Sequence, residues 1–334
     1  MTTRILICDD SVLARKQMAR SLPGDWEVQL DFAEHGRAAL EHLHTRGADV
    51  LFLDLNMPEL DGYGVLEAIK KADLPVMTLV VSGDIQPQAR DRVRALGAMG
   101  FVKKPIDGQE LVGLLRRYGL YQPAAMAPSQ PRDNAPDEPS LSLHDYLQEL
   151  ANVAMGQASD LLARLFDVFI RQPIPRVARI ARSELSMAIS AVESSCYSAV
   201  CQGFVGAGVS GEALLLFSDA SIEEMSRLLH YDAPTTRAPE VEILMDMSSI
   251  LFGAFLKGMG DQLDIRLGLG HPTVLGRHQR IDVLLEHHSK QSEQLLCIEI
   301  PYAIEHHHIH CNLLVLLTEE SVRRLEQRLF YLTE

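Results

Sequence analysis

The sequence predicts an α/β unit, a doubly wound sheet of five parallel strands, followed by an α+β unit built from an internal repeat. Three observations carry this. Short apolar runs alternate with helical patterns through the first 120 residues. Acidic, hydroxyl and basic residues fall where those runs end. A helical pattern near residue 145 recurs 97 residues further on.

The runs are Ile5-Leu-Ile, Val28-Gln-Leu-Asp-Phe, Val50-Leu-Phe-Leu, Met77-Thr-Leu-Val-Val and Phe101-Val, each followed by an amphipathic stretch. In a parallel sheet the carboxyl ends of the strands form the ligand crevice. There the sequence places Asp9 and Asp10, Asp54, Ser82 and Lys104. Three carboxylates on one rim stay ionised cheaply only with a cation among them, and all-oxygen ligands suit Mg²⁺. A hydroxyl at Ser82 and an ammonium at Lys104 are equipped to hold two oxygens of a phosphoryl group on Asp54.

This ordered set resembles the receiver domain of response regulators, the CheY-like fold, over residues 1–120. The resemblance implies that Asp9-Asp10 holds Mg²⁺ with Asp54 and the backbone carbonyl of Asn56. It also implies phosphorylation of Asp54 in Asp-x-Asn-Met-Pro by a cognate sensor histidine kinase. Ser82 matches the switch hydroxyl, Phe101 the switch aromatic, and Lys104-Pro105 the family's Lys-Pro with its cis peptide. Lys103 reads as a solvated lysine. Asn56 and Asp84 stand two residues past the phosphorylation and switch positions, where family members tune how fast the phosphoryl group is lost.

Residues 121–141 read as a linker: prolines from Pro123 to Pro139 punctuate an Ala/Gln/Asp stretch without apolar periodicity. Such a chain spans roughly 25 Å if flexible, enough to let two halves meet.

Residues 142–334 form the doubled unit. Asp145 to Gly156 aligns with Glu242 to Gly253, and Pro175 with Pro272, at an offset of 97. Leu215 to Leu229 aligns with Val315 to Leu329 at an offset of 100. In both copies a strand runs into a Ser or Thr, Ser218 or Thr318, placed to cap the next helix. On the first long helix, Leu143, Leu147, Leu150 and Ala154 share one arc of about 60°. Asp145, Glu149, Asn152 and Gly156 share the opposite arc. On periodicity alone that polar stripe reads as a solvated face. Asn is a poor interior helix residue, however, and a Gly one turn on permits close approach of another surface.

Asp145-x-x-x-Glu149-x-x-Asn152, with Pro175 after 22 intervening residues, resembles the signature of the CheC/CheX chemotaxis phosphatases. What the resemblance implies is a phosphatase for aspartyl phosphate, in which Asn152 orients the attacking water and Glu149 pairs with the lysine of a phosphorylated receiver, its own or a separate CheY-like one. The second copy carries Asp246 and Ser249 at these places, a shorter acid and a hydroxyl in place of a carboxamide, and is expected to be degenerate. A non-catalytic module that docks or sequesters a receiver is the alternative.

A formal charge of −14 and the lack of a Lys/Arg-rich patch argue against a nucleic-acid partner. Five cysteines without a C-x-x-C pair suggest reduced thiols. The first apolar stretch meets two acids too early for a signal peptide, and runs such as Leu313 to Leu317 are too short to span a bilayer, so a cytoplasmic protein without a membrane partner is expected. The sequence leaves monomer and homodimer open as alternatives. His287-His288 and His306-His307-His308-x-His310 lack Cys or Asp at ligand spacing. The latter run reads as a polar strand or hairpin face.

Overall fold

A computed structural model describes residues 2–122, 142–181, 185, 196–229, 240–284, 294–307 and 309–333. Most of the linker, His287, His288 and His308 lie outside the described residues. The chain divides into two compact units, Met1–Glu149 and Leu150–Glu334.

In the first unit the five apolar runs become β1 (Thr3–Cys8), β2 (Val28–Ala33), β3 (Val50–Leu53), β4 (Met77–Ser82) and β5 (Gly100–Lys103). They alternate with α1 (Val12–Ser21), α2 (Gly36–Thr45), α3 (Gly62–Ala72), α4 (Pro87–Ala95) and α5 (Gly108–Arg117). The sheet is parallel in the order β2-β1-β3-β4-β5. β3 is central and apolar throughout because both its faces are covered. Leu51 and Leu53 pack into one core with Val65, Leu66 and Val80; Val50 and Phe52 pack into the other with Met18, Leu111 and Leu115. Ser11, Asp61 and Asp107 each accept a backbone N–H at a helix start, so polar residues of the rim also fix where α1, α3 and α5 begin.

The unit boundary falls inside α6 (Leu143–Phe166), whose first residues belong to the first unit. Its start is a capping box: Ser142 N and Oγ donate to Asp145 Oδ2 at 3.0 and 2.7 Å, and Asp145 N donates to Ser142 Oγ at 3.2 Å. Asp145 is thereby occupied in starting the helix.

The second unit continues with β6 (Ile170–Arg171), β7 (Arg176–Ala181), β8 (Tyr197–Gly206), β9 (Val209–Ser218) and α7 (Ile222–Leu228). Then follow α8 (Glu240–Leu263), β10 (Gly268–Leu269), β11 (Thr273–Gln279), α9 (Ile281–Leu284), β12 (Gln294–Ile304), β13 (His310–Thr318) and α10 (Glu319–Thr333). The eight strands form one antiparallel sheet in the order β10-β8-β9-β13-β12-β6, with β11 also on β8 and β7 also on β12. α6 and α8 are each 24 residues long and start 97 residues apart.

These two helices pack closely. A Cβ at Gly258 of α8 would lie 3.0 Å from Ala154 Cα and 2.8 Å from Gln157 Oε1 on α6. Gln262 Nε2 donates to Leu150 O at 3.0 Å. Among the described residues α8 is the one helix long and apolar enough to cross a membrane by length and composition, and half of it, including Phe252, Phe255 and Leu256, is buried. That burial accounts for its hydropathy as a core helix.

One local expectation changes. Thr318 Oγ1 accepts from Ser321 N at 3.3 Å, but Ser218 makes no side-chain cap. The chain leaves β9 through a 3₁₀ turn, Asp219–Ser221, and Ser221 Oγ bonds His310 across the sheet end instead. His306 lies in the β12–β13 turn with φ 65° and His310 opens β13, which agrees with the hairpin expected for these two residues.

Candidate functional site

Register builds the site. β1 and β3 pair Cys8 with Leu53, so the next residues, Asp9 and Asp54, leave the sheet side by side, with Asp54 N bonded to Cys8 O at 2.9 Å. β4 and β5 pair Ser82 with Lys103, and Lys104 N donates to Ser82 O at 3.0 Å. The peptide Lys104-Pro105 is cis.

The Lys104 ammonium is the hub. Its Nζ lies 2.7 Å from Asp9 Oδ2, 3.1 Å from Asp54 Oδ1 and 3.2 Å from Glu149 Oε1. All four residues are 5% exposed or less. Asp54 Oδ2 also accepts Asn56 N at 2.6 Å, which fixes the carboxylate plane.

Charge in this pocket does not balance. Burial works to lower the Lys104 value, but the Asp54, Asp9 and Glu149 carboxylates outweigh it and hold the ammonium well above its ordinary range. Burial, then Asp54, pushes the Asp10 carboxyl up to about 7. Burial likewise holds Asp9 well above the usual carboxylate range, against the pull of Lys104. One ammonium in contact with three carboxylates leaves room for more positive charge.

Other expected residues have nearer partners. Ser82 Oγ accepts from Asp84 N at 3.1 Å, and Asp84 Oδ1 accepts from Gln86 N and Nε2 at 3.2 and 3.0 Å. The Phe101 ring lies 5.1 Å from the Arg90 guanidinium. Lys103 is exposed.

The polar stripe of α6 is not a solvated face. Glu149 and Asn152 are 5% and 6% exposed, and Gly156 is buried as well. Glu149 Oε2 and Asn152 Oδ1 are buried without a hydrogen-bond partner. In the second copy the equivalent residues are exposed: Asp246 and Ser249 face solvent, and Ser249 Oγ turns back to Met245 O at 2.7 Å.

Residues 5–116 match the family model described as the response regulator receiver domain. The N-terminal unit is a CheY-like receiver domain. Among curated relatives, a probable transcriptional regulator ycf27 of Guillardia theta is 37% identical over 118 residues, 34% of this chain and 44% of that protein. Protein-glutamate methylesterase/protein-glutamine glutaminase 2 of Koribacter versatilis is 38% identical over 112 residues, 32% of this chain and 30% of that protein. The chain thus spans less than half the length of either. Among solved structures, chemotaxis protein CheY4 of Vibrio cholerae is 26% identical and covered over 98% of its length and 35% of this chain, with a TM-score of 0.33.

The receiver's donor set fits Mg²⁺ in kind: it is all oxygen, its carboxylates outnumber the one ammonium, and Asp10 Oδ1 is buried without a hydrogen-bond partner. The expected cage is nevertheless not closed here. Among the described residues no three His, Cys, Asp or Glu side chains converge closely enough to hold a metal, and Asp9 and Asp54 both meet Lys104.

The sequence reading missed Arg15. It is 2% exposed on the apolar face of α1, and its Nη1 donates to Asp9 O at 2.7 Å. The available signal was an arginine in register with Leu13, Ala14, Met18 and Ala19, where a solvated face does not lie.

Proposed function

We propose that this chain is a response regulator phosphorylated on Asp54 whose α6 carries a phosphatase for aspartyl phosphate. The observation behind this reading is the 3.2 Å contact of Glu149 with Lys104, the lysine that also touches Asp54. A glutamate that pairs with a receiver lysine is what the α6 motif demands. Asn152 follows three residues later on the same helix face, with its carboxamide oxygen unspent.

An acyl phosphate is already activated, so the chemistry asks mainly for a placed water. The Asn152 carboxamide holds the water in line with the aspartyl oxygen–phosphorus bond of the receiver it acts on. The water oxygen forms the new bond to phosphorus, the bond to the aspartyl oxygen breaks, and the free carboxylate and inorganic phosphate leave with release of a proton. Lys104, steered by Glu149, pairs with a phosphoryl oxygen. Mg²⁺ on Asp9, Asp10, Asp54 and the Asn56 carbonyl, when bound, neutralises phosphoryl charge. A sensor histidine kinase supplies the phosphoryl group, and the substrate is the chain's own receiver or a separate CheY-like one.

A docking module without hydrolysis is the second reading. The Glu149–Lys104 pair favours it to the same degree, since pairing alone needs no catalysis. Asn152→Ala separates the two. With the chain and a separate receiver each loaded with phosphate, the catalytic reading expects slower loss from one of them. Unchanged decay of both leaves docking.

A further inference from the structure

Every polar atom of Asp9 is held. Its N donates to Ala33 O at 3.2 Å, its Oδ1 accepts from Ser11 N at 2.9 Å, and its Oδ2 meets Lys104. Its carbonyl, where β1 ends, accepts from the Arg15 guanidinium. Arg15 is itself anchored by the same turn, since its N donates to Ser11 O at 3.0 Å while Ser11 Oγ accepts from Ala14 N. Asp9, Ser11 and Arg15 thus close a ring of bonds around the point where the chain turns from β1 into α1.

Asp10 sits on that turn. The ring fixes the peptide from which its carboxyl departs, and the Asp10 oxygen left unbonded is buried. A guanidinium suits the task because its planar fork reaches a carbonyl from within an apolar face and cannot lose its charge.

We infer that Arg15 is a positioning residue of the acid pocket: by holding the Asp9 carbonyl it sets Asp10 to receive a divalent cation. This rests on the Mg²⁺ reading above. Groups that orient metal ligands by hydrogen bonds typically alter metal affinity by about 10- to 100-fold when removed.

The test is calorimetric titration of the full chain with MgCl₂, with thermal unfolding in EDTA beside it. Arg15→Met is expected to weaken Mg²⁺ binding roughly 10- to 100-fold, with Arg15→Lys between it and the native chain. Arg20→Met, on an exposed position of the same helix, is expected to bind as the native chain does. Arg15→Met binding within about twofold of the native chain, or more tightly as removal of a positive charge alone predicts, overturns the inference. If Arg15→Met does not fold, Arg15→Lys and Arg15→Gln decide it: native affinity in both overturns the positioning role, and graded loss supports it. A native chain that takes up no Mg²⁺ overturns the metal reading and the inference with it, an outcome distinct from the first.

Discussion

α6 and α8 have the same length and start 97 residues apart, yet they treat the polar stripe at matching positions in opposite ways. On α6 the stripe carries Glu149, Asn152 and Gly156, all buried, with two side-chain oxygens unsatisfied. On α8 it carries Asp246, Ser249 and Gly253; the first two are exposed, and nothing lies within 4 Å of a Cβ at Gly253. A buried polar oxygen without a partner costs about 1–3 kcal/mol, so a chain keeps one where it is used. The α8 stripe bears no such cost. The difference teaches that two helices of one length can both serve as core parts while only one of them buries its polar stripe.

The comparison breaks first at Asn152. In the proposed reading Asn152→Ala slows aspartyl-phosphate loss by about 100-fold, since misplacing the reacting water costs on that scale. Release of inorganic phosphate from the loaded chain and from a separate loaded receiver measures it. Next is the seam between the helices: Gly258→Val is expected to destabilise the second unit by roughly 1–3 kcal/mol through overpacking against Ala154, seen as a lower denaturation midpoint. Ser249→Ala is expected to leave phosphate loss within about twofold of the native chain, because its hydroxyl is spent on its own helix. A loss comparable to that of Asn152→Ala makes the second copy competent and removes the contrast.

The smallest effect concerns how each helix begins. α6 starts with the Ser142–Asp145 box, whereas the first residue of α8, Glu240, meets His278 Nε2 at 3.0 Å and Arg277 at 3.2 Å. His278 Nδ1 lies 2.9 Å from Asp219 Oδ2. Hydrogen bonds to Asp219 and then Glu240 raise the His278 value above 6.5 in the folded chain. A raised histidine stabilises the charged form, so its contribution is complete below pH 6.5 and is lost as pH rises through the folded value. His278→Gln should therefore lower stability at pH 6 but not at high pH, by less than about 1 kcal/mol given its exposure. Urea midpoints across pH check the sign.

Much of the receiver was written in local pattern. Five apolar runs at parallel-strand spacing gave β1 to β5, and polar residues at their ends gave the rim, because strand ends and crevice coincide in this topology. Arg15 escaped because its meaning depends on a backbone carbonyl, which no side-chain motif records. The burial of Glu149 and Asn152 escaped periodicity for a related reason: a wheel separates polar from apolar, not solvated from buried.

The sequence by itself determined the strand order's raw material, the acids, the lysine and the α6 motif, since each is a local matter of residue type and spacing. Only the tertiary structure decided that Lys104 is shared by Asp9, Asp54 and Glu149, and that the stripe is buried on one helix and open on its twin. Those depend on distances between residues up to 95 positions apart in the chain, which register and packing set and local sequence does not.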